Sequence, residues 1–486
     1  MEDILTRTAA ERFAIPYLYP YQRLVAVNIL EALGYFGDKR RQEAARFQMV
    51  ILPTGAGKSL CFTLPTEIIG GITLAIYPLL SLMGDQKRRL DELGIPSIML
   101  RGGQDSRQRS SLISSLPSGQ GGFILTNPET LEAPGVLDLL AGCSILHGVI
   151  DEAHTVIHWG ESFRPSYLAL GSRLRALHIP VVTAFTATAS PAMIPKLRRY
   201  LFQDSSMHVV RGDPDRPNIT YQVMPTISRL HDLTRLAHPD TGVPRPALCF
   251  CPTRRLTEEI AAVLLDRLGD SSIRYYHAGL SKAEKQLLEA WFFRHTSALL
   301  CATTAYGLGV DKPDIRSVIH VSAPPTVEAY LQETGRCGRD GDLSRAVLLA
   351  DRFGQQTNRS PLLHALGDHS RCRREQLLGL MGSSTDSCSG CDVCSSTFTL
   401  HADGEPQLLR AISAHPRRHT VSRWAVLLSG SGAGWPWNYA LIRYRNLPDM
   451  GSWYHQDIRQ ALQRLIAAGL ITADRRGPWK GLLYCP

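Results

Sequence analysis

Short apolar segments alternate with longer helix-compatible segments in two series along the 486-residue chain. Up to about residue 205 the apolar segments are "FQMVILPTG", "GITLAIYP", "GGFILTNP", "HGVIDEAH" and "VVTAFTAT". From about residue 245 they are "PALCFCPT", "SIRYYHAG", "ALLCATTAYG", "SVIHVSAP" and "RAVLLADRFG". Each has the length of a strand and ends in polar or turn-forming residues, as in parallel sheets that helices cover on both faces. The pattern predicts two α/β domains in tandem.

Changes of pattern divide the chain into four predicted domains. The two α/β domains span 1–207 and 208–355, and the proline-containing "VVRGDPDRPNITYQV" between them is typical of a linker. Residues 356–400 hold an Arg-rich helical stretch and a group of cysteines. Residues 401–486 end in an amphipathic helix, a glycine and two strands joined by a basic turn. Helix followed by hairpin is the order of elements in a winged-helix domain.

Charge and cysteine content narrow the class of protein. Lys and Arg number 53 against 44 Asp and Glu, a formal net charge of +9. This excess favours a polyanionic partner, although a soluble protein with a merely basic surface has the same composition. The 11 cysteines and an N-terminus without an apolar signal segment argue against a disulfide framework. No apolar run approaches the roughly 20 residues of a membrane span, so we expect a cytoplasmic protein without membrane contact.

The segment "ILPTGAGKSLCF", residues 51–62, has the sequence of a phosphate-binding loop between a strand and a helix. The strict pattern has glycine where this chain has Leu52, so the residues from Pro53 onward must form the turn by another route. Glycines let backbone N–H groups face phosphate oxygens, the lysine adds a cation and the serine offers a hydroxyl to Mg²⁺. The predicted ATP-binding residues of the loop are Thr54, Gly55, Gly57, Lys58 and Ser59.

An acidic motif follows the loop by about 90 residues within the same predicted domain. Asp151, Glu152 and His154 of "HGVIDEAH" follow an apolar strand, and "TATAS" ends the next one. One carboxylate can hold the Mg²⁺ that Ser59 also binds, and its neighbour can orient an attacking water. Although short acidic clusters are common at strand ends, this order and spacing predict an ATP-hydrolysing site.

These motifs resemble those of the superfamily 2 helicases, and further segments resemble the RecQ-type DNA helicases in particular. The superfamily motifs are "PTGAGKS", "DEAH", "TATAS" and "QETGRCGRDG". The RecQ-like segments, from about residue 17 to 400, are "YPYQ", "YPLLSLMGDQ", "DEAHTVIHWGESFRP", "YYHAGL", "GLGVDKPDIRSVIH" and the grouped cysteines. The resemblance implies two RecA-like lobes, a zinc module and a winged-helix domain. It also implies an ATP-dependent DNA helicase that moves 3′ to 5′ on single-stranded DNA and unwinds duplexes in DNA repair, recombination or mobile-element defence.

The resemblance also assigns roles to residues of the two lobes. They are Gln22 for the adenine edge, Asp151 for Mg²⁺, Glu152 as catalytic base, and Gly309 and Asp311 for nucleotide and strand. In the second lobe, Arg336 and Arg339 lie three residues apart, and we expect them on one helical face. Two guanidiniums so placed would act as arginine fingers toward the γ-phosphate of ATP.

The segment "HTVIHWGESFRP", which begins at His154, resembles the aromatic-rich loop that couples DNA contact to hydrolysis in this family. Trp159 and Phe163 offer ring faces to bases, and Arg164 offers a charge to a phosphate. Alternatively, the two rings fill the seam between the lobes. Where the family usually has histidine after Trp-Gly, this chain has Glu161, which bears on how contact and hydrolysis are coupled.

A group of four cysteines resembles the zinc site of the same family. Its members are Cys372, Cys388, Cys391 and Cys394. Zn²⁺ prefers four soft ligands in a closed tetrahedron, and clustered cysteines in a chain without an export signal usually bind it. We therefore expect one structural zinc ion.

The C-terminal segment "RRGPWKG", residues 475–481, would form the tip of the predicted hairpin. Trp479 can stack on an end base pair while its basic neighbours hold phosphates. A basic hairpin without any DNA contact has the same sequence, so both interpretations stay open. Since the chain ends at Pro486, we expect it to lack the additional helical domain that many RecQ-type proteins carry.

Two other functions are compatible with the sequence. "DEAH" also occurs in RNA helicases, although the cysteine group and the aromatic-rich segment favour DNA. The second alternative is an ATP-gated DNA-binding subunit that remodels without separating strands. For the favoured function we expect ATP, Mg²⁺ and structural Zn²⁺ as cofactors and single-stranded and forked DNA as partners. We expect a monomer, located at the nucleoid if the source is bacterial, and the sequence indicates no protein partner.

Overall fold

The structure, a computed structural model, describes residues 3–53, 55–117, 121–160, 164–307, 312–351, 361–385, 387–429, 447–448, 450–474 and 476–486. The chain divides into two compact units. The first comprises Met1–Asp215 with Met381–Ser383, and the second comprises Arg216–Leu380 with Ser384–Pro486.

A parallel seven-stranded sheet forms the centre of the first unit, with the strand order β3-β4-β2-β5-β6-β1-β7. The strands are β1 (Phe47–Ile51), β2 (Ile72–Ile76), β3 (Ser97–Met99), β4 (Gly122–Thr126), β5 (Ile145–Ile150), β6 (Val181–Thr186) and β7 (His208–Arg211). The helices are α1 (Ile4–Phe13), α2 (Pro20–Ala32), α3 (Asp38–Glu43), α4 (Lys58–Ile69), α5 (Leu80–Glu92), α6 (Ser106–Ser114), α7 (Pro128–Leu131), α8 (Val136–Ala141), α9 (Thr155–Gly160), α10 (Leu170–Ala176) and α11 (Met193–Phe202).

Both faces of this sheet are buried, which explains why its strands are apolar without alternation. Met49 and Ile51 of β1 pack into one hydrophobic cluster, whereas Val50 between them packs into another. Successive side chains of a strand point to opposite faces. A strand covered by helices on both sides is therefore mostly apolar on both faces, and its few polar residues, such as Gln48, are buried as well.

The first unit extends beyond the predicted boundary at residue 207. Strand β7 pairs in parallel with β1, with Gln48 opposite His208 and Ile51 opposite Arg211. The five strands predicted in this region are confirmed, but β3 and β7 are additions. Both are short edge strands, and β7 is largely exposed, so neither carries the long apolar run that marks a central strand.

A parallel six-stranded sheet forms the centre of the second unit, with the order β10-β11-β9-β12-β13-β8. The strands are β8 (Ile219–Thr226), β9 (Ala247–Phe250), β10 (Ile273–Tyr276), β11 (Leu299–Ala302), β12 (Ser317–His320) and β13 (Ser344–Asp351). The helices up to the cysteine group are α12 (Arg229–Leu236), α13 (Arg254–Leu268), α14 (Lys282–Arg294), α15 (Val327–Thr334), α16 (Pro361–Gly367) and α17 (Arg373–Leu380).

Strand β8 corrects the prediction of a linker through "NITYQV". Its eight residues pair with β13 from Ile219 opposite Ser344 to Thr226 opposite Asp351. The burial of β8 alternates along its first half, as expected for an edge strand with one face toward the core. The prolines therefore mark only the short connection before it, and the alternation of "ITYQV" was the signal that could have identified the strand.

The C-terminal part of the second unit has three described helices and a two-stranded antiparallel hairpin. They are α18 (Glu405–Ala414), α19 (Val421–Leu428), α20 (His455–Ala467), β14 (Thr472–Ala473) and β15 (Leu483–Tyr484). Their common hydrophobic core includes Trp424 and Leu462 and extends to Ile227, which follows β8. The expected order of helix and hairpin is therefore present. No helix in the described part of the chain is both long and apolar enough to cross a membrane.

Candidate active site

The phosphate-binding loop lies between β1 and α4, at the carboxyl edge of the first sheet. Gly55 and Gly57 have positive φ angles of 87° and 72°, a conformation that glycine adopts without steric cost. Helix α4 begins directly after Gly57, so its first N–H groups are available to an anion. The Lys58 Nζ donates to the carbonyl of Leu52 at 3.3 Å. Thr54 lies outside the described residues.

Gln22 is held against this loop by its own helix. Its Oε1 accepts a hydrogen bond from the Tyr19 N–H at 3.0 Å, and its Nε2 donates to the Ala56 carbonyl at 3.0 Å. A Cβ added to Gly57 would lie 2.5 Å from the Gln22 Nε2. Glycine at 57 therefore serves both the turn and the close approach of Gln22. The structure brings the predicted adenine-reading residue and the phosphate loop together in one site.

The acidic pair follows β5 at the same edge of the sheet. The Asp151 N–H donates to the Ile76 carbonyl at 3.0 Å, and its Oδ1 accepts from the Glu152 N–H at 2.9 Å. Burial, and after it the charge of Glu152, raise the pKa of Asp151 to about 7, while Lys58 acts in the opposite direction. A divalent cation favours the ionised carboxylate in such a place. The donor set of Asp151 and the hydroxyl of Ser59 thus fits Mg²⁺.

A buried hydrogen-bond chain joins the "DEAH" motif to "TATAS". The His154 Nδ1 lies 3.0 Å from the Thr186 Oγ1 and 3.4 Å from a carboxylate oxygen of Glu152. The Thr186 hydroxyl donates to the Thr188 carbonyl at 2.9 Å. In addition, the Ala153 N–H donates to the Phe185 carbonyl at 2.8 Å. A movement of the Glu152 side chain would therefore displace His154 and, through it, Thr186 at the end of the neighbouring strand β6.

The aromatic-rich segment begins with helix α9 and continues past residues that lie outside the described chain, Glu161 and Phe163 among them. The guanidinium carbon of Arg164 lies 4.7 Å from the Trp159 ring centre. Arg164 also donates to the Tyr167 hydroxyl at 3.0 Å and to the Pro78 carbonyl at 3.3 Å. Arg164 thus orients Trp159, a positioning role that sequence reasoning missed because Tyr167 and Pro78 stand outside the motif.

The arginine motif of the second unit lies in a turn and not on a helix. Helix α15 ends at Thr334, before Arg336 and Arg339, so the expectation of one helical face is wrong. Gly338 between them has a φ angle of 61°, which interrupts a helix. Arg336 is almost fully buried, with 5% of its surface exposed. Gly309 and Asp311 lie outside the described residues.

The four cysteines meet in one cluster whose ligand atoms all lie within 4.8 Å of one another. The Cys372 and Cys391 sulfurs are 3.9 Å apart, close to the ~3.8 Å edge of a tetrahedron with Zn–S bonds of about 2.3 Å. Burial opposes ionisation, but hydrogen bonds from the backbone N–H groups of Cys394 and Arg373 lower the pKa of the Cys391 thiol. The set fits a structural zinc ion.

We expect the purified protein to contain one zinc ion per chain and Cys391→Ser to lose it. The substitution removes a soft ligand from a closed site, and a hydroxyl binds Zn²⁺ far more weakly than a thiolate does. Metal content by atomic emission spectrometry is the measurement. Cys143→Ser, which changes a cysteine of the first unit, is the matched control and should keep its zinc. Full zinc content in Cys391→Ser would contradict the assignment.

A second group of possible ligands, His231, Asp232 and Asp403, also lies within 4.8 Å. The guanidinium of Arg235 already supplies a positive charge to these carboxylates. The Arg235 Nη1 lies 2.8 Å from an Asp403 oxygen and 4.0 Å from an Asp232 oxygen, and His231 lies 2.9 Å from Asp403. We interpret this cluster as an ion-pair network that connects α12 to the segment before α18.

The predicted hairpin tip has an exposed aromatic residue. Trp479, in a 3₁₀ turn between β14 and β15, is 53% exposed. Arg476 and Lys480 beside it are exposed as well, and Arg475 lies outside the described residues. The arrangement is compatible with a contact to nucleic acid, and that role stays a prediction.

Two protein-family models match the chain. "DEAD/DEAH box helicase" matches residues 20–194, and "Helicase conserved C-terminal domain" matches residues 227–341. Together they cover most of the two sheets and include the loop, the acidic pair and the arginine turn. The tandem RecA-like lobes that the sequence implied are thereby shown.

Curated relatives are helicases of the RecQ type. The probable ATP-dependent DNA helicase RecS of Bacillus subtilis is 36% identical over 332 residues, or 66% of each chain. RecQ of Pasteurella multocida is 32% identical over 76% of this chain and 62% of its own. RecQ of Bacillus subtilis is 30% identical over 80% of this chain and 69% of its own. The chain thus spans slightly less than two thirds of the length of RecS and of the Pasteurella multocida RecQ.

Solved structures with the same fold include the helicase MrfA bound to DNA, with a TM-score of 0.57 and 18% identity, over 100% of this chain and 62% of that one. The DEAD-box helicase Mss116 bound to single-stranded RNA has a TM-score of 0.58 and 15% identity, over 96% and 89%. At these identities the likeness concerns the fold alone.

With the site geometry, the family matches and the RecQ relatives taken together, this chain belongs to the RecQ-type family of superfamily 2 ATP-dependent DNA helicases.

Proposed function

We propose that this protein is an ATP-dependent DNA helicase that hydrolyses ATP to move 3′ to 5′ along single-stranded DNA and unwind forked duplexes. The observation that supports this most strongly is the site in the first unit. It combines an adenine-reading glutamine, a phosphate loop and a carboxylate pair at the carboxyl edge of one parallel sheet, where open α/β sheets bind ligands. The relatives RecS of Bacillus subtilis and RecQ of Pasteurella multocida are DNA helicases by name.

In this proposal each residue of the first unit has one task. Gln22 recognises the adenine edge, and Lys58 with the loop N–H groups binds the phosphates. Mg²⁺, held by Ser59 and Asp151, would neutralise charge on the phosphates. Glu152 orients the water that attacks the γ-phosphate and accepts its proton. The imidazole of His154 helps to hold Glu152 in place, since its Nδ1 lies 3.4 Å from a Glu152 carboxylate oxygen.

The arginines of the second unit complete the chemistry. A guanidinium is permanently charged and presents a planar fork of donors that matches phosphate oxygens. We assign Arg336 and Arg339 to the charge that develops on the γ-phosphate during transfer. Their test is whether either substitution to alanine lowers hydrolysis without weakening ATP binding.

DNA contact is assigned to two places. Trp159, oriented by Arg164, offers a ring to bases, and the link from His154 through Thr186 couples this segment to the hydrolytic site. Residues 401–486, which we propose form a winged helix, contain 11 Lys and Arg against five Asp and Glu. Such an excess attracts the phosphate backbone, with Trp479 available to stack at the duplex end.

Steady-state ATP hydrolysis, measured with single-stranded DNA, with RNA of the same sequence and with neither, tests the proposal. We expect strong stimulation by DNA only, followed by unwinding of a fork with a 3′ single-stranded tail and none with a 5′ tail. Equal stimulation by RNA would make the protein an RNA helicase. DNA-stimulated hydrolysis without strand separation would make it an ATP-gated remodelling subunit. We place the activity in DNA repair, recombination or defence against mobile elements.

A further inference from the structure

The turn that carries Arg336 and Arg339 is shaped by contacts with distant parts of the second unit. It follows α15 and contains no regular secondary structure. The Gly338 N–H donates to the Ile315 carbonyl at 2.8 Å, and the Arg339 N–H donates to the Pro313 carbonyl at 3.1 Å. These bonds hold one side of the turn. Its other side has carbonyl groups that need donors from elsewhere.

Arg216 supplies most of these donors. Its guanidinium donates to the Gly338 carbonyl at 2.7 Å and, at 3.4 Å each, to the carbonyls of Cys337 and Gly335. Arg216 stands about 120 residues before the turn, immediately ahead of β8. One side chain thus bridges three carbonyls within the four-residue segment that contains Arg336. It donates from two nitrogens of a planar guanidinium, whereas an ammonium has one nitrogen.

Asn218 reinforces the same contact two residues later. Its Nδ2 donates to the Gly338 carbonyl at 2.8 Å and to the Asp342 carbonyl at 2.9 Å. The backbone takes part as well, since the Ser344 N–H donates to the Asn218 carbonyl at 2.8 Å. A Cβ at Gly338 would lie 2.3 Å from the Asn218 Nδ2. Only glycine leaves room for this approach.

The segment that carries Arg216 is itself held by the cysteine module, the predicted domain at 356–400 that contains the four clustered cysteines. Arg374, fully buried in α17, donates to the Arg216 carbonyl at 3.0 Å and also to the Ile219 carbonyl. Its guanidinium carbon lies 5.2 Å from the Tyr221 ring centre. Residues 216–219 are therefore held between the cysteine module on one side and the arginine turn on the other.

We propose that Arg216 is a positioning residue for ATP hydrolysis, which holds Arg336 and Arg339 in their catalytic arrangement and is braced by Arg374. The inference rests on the proposed ATPase function and extends it to residues outside the helicase motifs. Arginine fingers act only when their charge reaches the transferring phosphoryl group, and a displacement of about 1 Å can lower a rate by about 10²-fold. Arg216 is half-buried, and its carbonyl acceptors suit such a brace.

The test compares Arg216→Lys and Arg216→Gln with the wild type in DNA-stimulated ATP hydrolysis. Because lysine and glutamine each donate from a single nitrogen, whereas Arg216 donates to the turn from two, we expect kcat to fall about 10- to 100-fold. The KM for ATP and the affinity for single-stranded DNA should not change, since Arg216 contacts neither in this assignment. Arg255→Gln is the matched control, because Arg255 lies exposed on α13 in the same unit and should keep full activity.

Two further variants separate positioning from misfolding. Asn218→Ala removes two hydrogen bonds to the same turn, and we expect a smaller fall in kcat with no change in the KM for ATP. In single-turnover assays, Arg216→Gln should add little to the loss caused by Arg339→Ala, since residues that act through one group are not additive. Thermal unfolding midpoints identify any variant that fails to fold.

The outcomes distinguish the inference from the function on which it rests. A wild-type protein without DNA-stimulated hydrolysis would refute the proposed function itself. An active wild type whose Arg216→Gln variant keeps its kcat would overturn only the positioning role. A folded Arg216→Gln variant with raised KM and unchanged kcat would also overturn it, because the side chain would then serve ATP binding.

Discussion

Lys58→Ala is expected to lower DNA-stimulated ATP hydrolysis by about 10²- to 10³-fold or more while leaving the affinity for single-stranded DNA unchanged. Lys58 is the first residue of α4, directly after the phosphate loop. Its ammonium group lies close enough to Asp151 to lower the pKa of that carboxyl. Without it, no side-chain cation of the loop remains for the β- and γ-phosphates. DNA contact is assigned to other segments, so binding should persist.

The measurement pairs steady-state hydrolysis with fluorescence anisotropy of a labelled single strand. Lys39→Ala is the matched control, because Lys39 lies exposed on α3 in the same unit. The control should retain wild-type hydrolysis and binding. If Lys58→Ala lost DNA binding together with hydrolysis, nucleotide and DNA sites could not be separate, and the proposed layout would be wrong.

Arg267→Ala is expected to destabilise the second unit by about 3–5 kcal/mol, the usual effect of leaving one member of a buried ion pair alone. Arg267, on α13, donates to both carboxylate oxygens of Asp457, on α20, at 2.9 and 3.1 Å. Their side chains are 5% and 1% exposed. The Tyr454 ring covers the guanidinium at 4.0 Å. The pair joins α20 to α13, a helix that packs on the second sheet.

Urea denaturation of the full chain, followed by circular dichroism, measures this effect. Arg417→Ala is the matched control, since its 2.8 Å pair with Asp474 is 45% and 22% exposed, and exposed pairs contribute only about 0–1 kcal/mol. The double variant Arg267→Met with Asp457→Leu should recover most of the lost stability, because it leaves no charge buried. An Arg267→Ala variant as stable as Arg417→Ala would show that the pair does not anchor these helices.

Local pattern was sufficient for the central strands and for the strand, loop and helix around Lys58. Strand β1 is apolar at every position except Gln48 because both faces are covered, and the glycines beside Lys58 have the positive φ angles that their loop requires. Both signals lie within a few residues of the chain, so the sequence carried them unaided. The four cysteines were also predictable, because a closed metal site depends on residue type and spacing.

Contacts between distant segments were decided only by the tertiary structure. Edge strands β7 and β8 form because a sheet is available to pair with them, and the prolines near them favoured a linker. Helix α15 ends before Arg336. The turn that follows is contacted by Arg216, and Arg267 pairs with Asp457, which lies 190 positions further along the chain. By itself the sequence determined two parallel-sheet lobes, the ATP-binding loop and the cysteine group. Which side chains hold the arginine turn and anchor the C-terminal helices depends on hydrogen bonds that exist only after the chain has closed on itself.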